Sequence, residues 1–276
     1  MAVVTITRGK LQVSFQLADL MARRLGCEVV RREDVIARAQ EHGIDEFTVA
    51  QIDELASKPP QFWDRQAVQR RHYLTIFKES LMAFVAGGNV VYHGNVGPYL
   101  ITDVPHRFRV RLTGSLAYRA EMLANESAIG MNAAKDMILL ADERRARWVK
   151  LLCGADFYYP PNYDVYFNLD RVRVPTMVDM IDRAIAEPEF VVDEAAQAKI
   201  NDACLCARVR AALVRSMRTR GMELTVSCQD ESGEVHISGL APAVGLATWE
   251  NDIRDAIAGL DAIRSLTIND RGKSDE

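Results

Sequence analysis

Long apolar runs are missing from this chain of 276 residues. No stretch reaches the ~18 apolar residues that a membrane-crossing helix needs. The opening MAVVTITRGK lacks the charged segment and long apolar stretch of a secretory leader, so a cytoplasmic location is expected. An excess of basic charge is missing too. Lysine and arginine number 34 against 38 acidic residues, a net charge of -4, and no global field draws the chain to nucleic acid or anionic lipid. Cysteine is sparse. Cys27, Cys153, Cys204, Cys206 and Cys228 are odd in number and scattered. Only Cys204 and Cys206 lie close together, with no second pair beside them. This argues against a disulfide framework and against a four-ligand metal site, and for idle thiols in a reducing compartment.

What is present is ordinary for a globular protein: 49% hydrophobic and 26% charged residues, enough for one large domain or two smaller ones. Up to about Ile185, strand and helix signals alternate. Val3–Thr7 reads as a buried strand, and Leu17, Ala18, Leu20, Met21 and Leu25 recur at helical spacing. Further strands are expected at Cys27–Val30, Asn89–Tyr92, Arg107–Leu112 and Val165–Leu169. Helices are expected at Arg32–Glu41, Gln66–Ala86, Ala117–Leu152 and Thr176–Ile185. Strands separated by helices imply a mainly parallel sheet flanked by helices.

The pattern changes after Ala186–Phe190 (AEPEF). A long helix over Val192–Arg220 precedes two stretches of period-two alternation, MELTVSC and EVHIS. These flank Asp230-Glu231-Ser232-Gly233, a hairpin signal. A helix near Val244–Ala258 and a strand in AIRSLTI complete an αββαβ order. The expected organisation is an α/β domain over 1–187, a small α+β domain over 193–270 and a disordered tail over 271–276.

The chemistry turns on a scarcity of glycine. In VTITRGKLQVSFQLADLMARRLG, Val4 to Gly26, a strand passes through a turn into a helix. A phosphate-holding turn of this kind uses glycines so that successive amides can face the phosphate. Only Gly9 stands in this turn, with Leu11, Gln12, Val13 and Phe15 following. Arg8 and Lys10 bring charge, Ser14 suits a helix cap, and the helix N-terminus carries partial positive charge.

The first segment resembles the cytidylate kinase-like family, a nucleoside monophosphate kinase branch of the P-loop kinases. Four stretches carry the resemblance: ITRG; RRED; NVVYHGNVGPYLI; and ADERRARWVKLLCGADF with YDVYFNLD. It implies a P-loop kinase-like α/β fold, with MgATP as cofactor if the protein is active. It places Arg8, Gly9, Lys10 and Ser14 in the phosphate loop, and Arg32 and Glu33 on the monophosphate side. His93, at a turn following a strand, is a candidate for the same side. The resemblance also assigns Arg144, Arg145 and Arg147 to a mobile lid, with Arg119 upstream and Asp142 among them. Against the family pattern, loop glycines become Leu11 and Val13, the lysine position becomes Ser14 and the metal-ligand position becomes Phe15. On their own, the lid charges read equally as a solvated face, and His93 as a structural histidine. The aromatics Phe157, Tyr158, Tyr159 and Tyr163 read as fixing a proline-bearing loop against the sheet.

The second segment resembles the BON domain family through GEVHISGLAP, which implies binding of a partner or small ligand, or self-association. Three functional readings follow. One is a kinase-like protein with a degenerate phosphate loop that binds a nucleotide or other anion without catalysis. Another is an active kinase transferring phosphate from ATP to CMP or a similar monophosphate. The third is a scaffold acting through the second domain.

Overall fold

The computed structural model describes residues 2–41, 67–242 and 245–272. The chain forms two compact units. One comprises Met1–Phe62 with Gly87–Asp193, and the other comprises Trp63–Ala86 with Glu194–Glu276.

The first unit is built on a parallel five-stranded sheet: β1 (Val3–Ile6), β2 (Val29–Arg31), β3 (Val90–His93), β4 (Arg107–Thr113) and β5 (Val165–Asn168), ordered β2-β3-β1-β4-β5. The apolar, β-branched β1 lies in the middle with all four residues buried, as an unbroken run should in a parallel sheet. It pairs on both sides, Val4 opposite Val91 and Phe108. α1 (Gln12–Leu25) follows β1, turns Leu17, Ala18 and Met21 inward, and stops at Gly26 with φ of 64°. α2 (Arg32–Glu41) follows β2 directly.

The expected single helix over Ala117–Leu152 is two, α5 (Leu116–Ser127) and α6 (Met131–Cys153), after a four-residue α4 (Gly97–Leu100). Ala128 breaks the run with φ of 52°. α7 (Val174–Ile185), opened by Pro175, packs on α1. One core joins Val4, Ile6, Val110 and Phe167 of the strands to Leu17 and Met21, Leu123, Ile138 and Ile181 of the helices. This is a parallel sheet flanked by helices, as the alternation of strand and helix signals implies.

The second unit contains α3 (Ala67–Ala86), α8 (Glu194–Arg215), β6 (Leu224–Gln229), β7 (Glu234–Gly239), α9 (Leu246–Ile257) and β8 (Ser265–Asp270). Its sheet runs β6-β7-β8, antiparallel then parallel. The hairpin turns at Gly233 (φ 68°), whose amide donates to the Asp230 carbonyl at 3.1 Å. Alternation places Val226, Cys228, Val235 and Ile237 against Leu205, Val209, Trp249 and Ile253. α3 packs along α8, with Arg215 on Glu79 at 3.2 Å and the Cys204 thiol on the Met82 carbonyl at 3.5 Å. The boundary at 187–193 leaves this helix in the first segment, whereas it groups with the second unit. Arg271, expected in the tail, donates its amide to the Gly239 carbonyl at 2.8 Å. Residues 273–276 and the expected helix start at Val244 lie outside the described residues.

Among the described residues no helix is long and apolar enough to cross a membrane. No group of His, Cys, Asp and Glu there could hold a metal ion, and no cysteine forms a disulfide.

Candidate functional site

Parallel sheets bind ligands beyond the carboxyl ends of their strands. There, the turns after β1, β2 and β3 meet the side of α6 in a cleft of about 510 Å³. Arg8, Gly9 and Lys10 come from the first turn, Arg32 and Glu33 from the start of α2, and Tyr92, Gly94 and Asn95 from the end of β3. α6 contributes Ala141, Arg144, Arg145 and Trp148. Five cationic side chains thus surround one carboxylate.

The turn from β1 to α1 holds its own amides inward. Thr7 donates to the Val110 carbonyl at 3.0 Å. Arg8 donates to Asn95 Oδ1 at 3.1 Å, and Gly9 to Ser14 Oγ at 3.3 Å. The first amide of α1, on Gln12, donates to the Glu126 carboxylate at 3.2 Å. Ser14 is not the expected cap. The cap position is Leu11, with extended backbone and no side-chain bond, and α1 starts at Gln12. Ser14 lies inside the first helical turn. It reaches back to the Gly9 amide and donates its hydroxyl proton to the Leu11 carbonyl at 3.1 Å. The only positive φ at a non-glycine residue among those described is at Ala128, so Leu11 and Val13 sit without strain. A Cβ on Gly9 would meet nothing nearer than 3.9 Å, so the fold does not require glycine there.

Phe15 occupies the position expected of a metal ligand. Its ring stacks edge-on with His93 at 4.7 Å, and the Arg8 guanidinium lies 5.4 Å from its centroid. Arg8 also pairs with Glu33 at 2.7 Å. Burial pushes the Glu33 carboxyl up, but the hydrogen bond and charge of Arg8, its own backbone amide and Arg32 outweigh burial and leave it below its ordinary value.

The three arginines expected in a lid part company. Arg144 and Arg145 line the cleft, whereas Arg147 pairs with Glu143 on the exposed side. Arg145 and Arg119 share Asp142, at 3.1 and 2.7 Å. Burial lowers the Arg145 pKa, against the pull of Asp142. This trio borders a small second cavity of about 40 Å³ behind the turn, whose walls include Leu11, Val13, Ile138 and Phe157.

His93 does not line the cleft. It lies fully buried between cleft residues Tyr92 and Gly94, both ring nitrogens without a hydrogen-bond partner among the described residues. His106 is buried too, and its ring nitrogens likewise meet no hydrogen-bond partner among the described residues. Burial holds both imidazoles at about 4, helped at His93 by Arg8 and Arg31. An unfolded histidine titrates near ~6.5. Between these values the unfolded chain takes up a proton that the folded chain refuses. Stability held above pH 6.5 is therefore lost as the pH falls towards 4. For His93 alone the loss at pH 5, relative to pH 7.5, is about 2 kcal/mol. Urea denaturation at the two pH values should show it, and His93→Phe should remove its share of the dependence and leave that of His106. Equal stability at both would mean that the folded protein accommodates the imidazolium.

Sequence reasoning missed three features. Arg111, on β4, is buried. It donates to the Phe157 carbonyl and lies 4.1 Å from the Phe157 centroid and 5.2 Å from that of Tyr163. The aromatics of DFYYPPNY thus hold their loop to the sheet through an arginine. Trp148 stands four residues after Arg144 on the same helical face, and that spacing is the signal that could have placed it in the cleft. Glu126 gave no signal, since it lies far from the loop in sequence.

Residues 3–171 match the cytidylate kinase-like family. No curated protein matches the sequence. Among solved structures, an uncharacterized protein from Eubacterium ventriosum ATCC 27560 is 16% identical. The match covers 67% of this chain and 98% of that one, with a TM-score of 0.50. A shikimate kinase from Bacteroides thetaiotaomicron is also 16% identical, over 67% of this chain and 99% of that one, with a TM-score of 0.38.

Proposed function

Since the chain belongs to the cytidylate kinase-like family, we propose that it is a kinase-like protein that binds a nucleotide or other small anion between loop and lid without transferring a phosphoryl group. The observation that carries this reading is the fate of the loop amides. Phosphoryl transfer depends on a cradle of backbone N–H groups, a bridging lysine and a metal ligand, all preorganised. Here the Thr7, Arg8, Gly9 and Gln12 amides donate to protein oxygens.

MgATP does not fit the residues present. Phe15 offers a metal no oxygen, Glu33 is engaged by Arg8, and Asp142 by Arg119 and Arg145. The cavity behind the turn, about 40 Å³, is too small for a chain of phosphates. The basic cleft in front of it suits an anion. The αββαβ order of the second unit supports a BON-like module that binds a partner or a second copy.

One observation favours the active-kinase reading: Lys10 reaches the cleft beside Arg144 and Arg145. A coupled ADP-release assay with ATP, Mg²⁺ and CMP, dCMP or other monophosphates separates the two. The expected rate equals the blank. Turnover that disappears in Lys10→Ala would install the active kinase, with Lys10 as the bridging cation.

A further inference from the structure

The two edges of the second unit's sheet are finished differently. On β6, the register turns the Val226 carbonyl away from β7, and it accepts from Arg210 of α8 at 2.7 Å. Just past the strand, the Asp230 amide donates to Asp202 of the same helix at 2.6 Å. α8 thus closes that edge. On β8, the Ser265 amide donates to the Gly233 carbonyl at 3.2 Å and the Arg271 amide to the Gly239 carbonyl at 2.8 Å. Alternate residues of a strand turn their backbone groups to opposite sides. Leu266 and Ile268 therefore aim theirs away from β7, where no strand among the described residues pairs with them.

Nothing in β8 guards this edge. Protected edges carry lysine, proline or a bulge. SLTIND has no lysine or proline, and its register with β7 runs unbroken from Ser265 to Asp270. The apolar layer is also unfinished here. Val235 and Ile237 are 1% and 0% exposed, whereas Leu266 and Ile268, their partners in register, are only half-buried.

The sequence of β8 complements itself in one register. A second copy related by a two-fold axis brings the same strand to this edge, antiparallel. With Thr267 opposite Thr267 of the second copy, Leu266 falls opposite Ile268, Ser265 opposite Asn269 and Arg264 opposite Asp270, each of them twice. Residues directly opposite share a face, so apolar side chains meet on the inner face and small polar ones on the outer. Arg264 is exposed, and the Asp270 carboxylate is fixed by the Ala241 and Gly272 amides on its Oδ1, at 3.0 and 2.9 Å. A register shifted by two residues sets Arg264 against Ile268, or Leu266 against Asp270.

From the open edge, the unfinished apolar layer and this complementarity, we propose that β8 is a dimerisation strand. Two copies of the chain pair β8 to β8, antiparallel about Thr267, and join their three-stranded sheets into one of six strands. The free backbone groups of Leu266 and Ile268 bond to those of Ile268 and Leu266 of the second copy. The proposal rests on the second-copy side of the reading given above for the second unit, and assigns the surface.

Sedimentation equilibrium of the full chain tests it. The expected mass is twice 30.9 kDa, falling on dilution. Thr267→Lys sets two like charges opposite each other on the exposed face. It should weaken the dimer by more than about ten-fold, with an unchanged circular dichroism spectrum. Arg264→Glu, facing Asp270 of the second copy, should weaken it as well. Cross-linking with oxidised glutathione reads the register. Opposite residues in a non-hydrogen-bonded pair lie about 4.5 Å apart at Cα, within reach of a disulfide. Thr267→Cys should therefore give a covalent dimer, and Ser265→Cys and the parent chain should not. A chain that stays monomeric up to about 0.1 mM overturns the β8 dimer and the second-copy reading together. A dimer that Thr267→Lys leaves intact, or that cross-links through Ser265→Cys rather than Thr267→Cys, overturns the β8 pairing and leaves the second-copy reading standing.

Discussion

A fragment of residues 193–276 expressed alone is expected not to fold cooperatively. The same fragment with residues 67–86 fused ahead of it through a flexible linker is expected to fold. The reason lies in α3. Tyr73, Ile76, Phe77, Leu81, Met82 and Val85 are each no more than 4% exposed, and the helix groups with the second unit. Burying a large apolar side chain contributes roughly 1.5–3 kcal/mol. Six of them amount to about 10 kcal/mol, comparable to the whole stability of a small domain. Without α3, the buried alanines of α8, Ala203, Ala207 and Ala211, lose cover, and Glu79 no longer meets Arg215. A fragment of residues 1–187 carries the opposite fault, an apolar helix without its partner, and should aggregate. Circular dichroism melts of the two versions of the second unit decide the matter. A sharp, identical transition in both would show that 193–276 is self-sufficient and that α3 is dispensable to it.

That helix marks where the sequence stopped being readable. β1 and β3 were legible because VVTI and VVYH are short apolar runs between turn signals, and α1 because its inward residues recur at helical spacing. The existence of α3 was legible for similar reasons, with Gly87-Gly88 as its stop. Its allegiance was not. It lies in sequence between β2 and β3, where a crossover helix of the first sheet belongs. The face of α8 that covers it presents small alanines rather than a marked apolar stripe.

At the site, the sequence identified the elements that surround the cleft. Arg8, Gly9, Lys10, Arg32, Glu33, Arg144 and Arg145 all line it. It could not separate Arg147 from its neighbours, because three arginines within four residues project in different directions around a helix. Nor could it see that the turn's amides are held by Asn95, Ser14 and Glu126, since those contacts depend on the path of the loop. His93 was placed beside the cleft by its position after β3, but whether a strand-end side chain points outward or inward is settled by packing, here against Phe15.

The arginines of α6 also differ in what they do for stability, and Asp142 is the residue that shows it. Arg119 and Arg145 both bind this one carboxylate, and the three side chains are only 16–22% exposed. Asp142→Ala leaves two cations crowded in a partly buried site without a counter-charge. Breaking a buried pair in this way costs about 3 kcal/mol or more. Asp142→Asn keeps the shape and an acceptor oxygen, so about half that loss is expected. Arg147→Ala removes a pair whose partners are 45% and 61% exposed, and should change stability by less than about 0.5 kcal/mol. Because the chain has two units, a single melting temperature is a poor measure. Hydrogen exchange resolved by peptide is the appropriate one, with protection expected to fall across α5 and α6 in Asp142→Ala and to hold in α8 and β7. Full protection of α5 and α6 in Asp142→Ala would show that Arg119 and Arg145 reach solvent without it, and that the trio is a surface feature with no structural role in these helices.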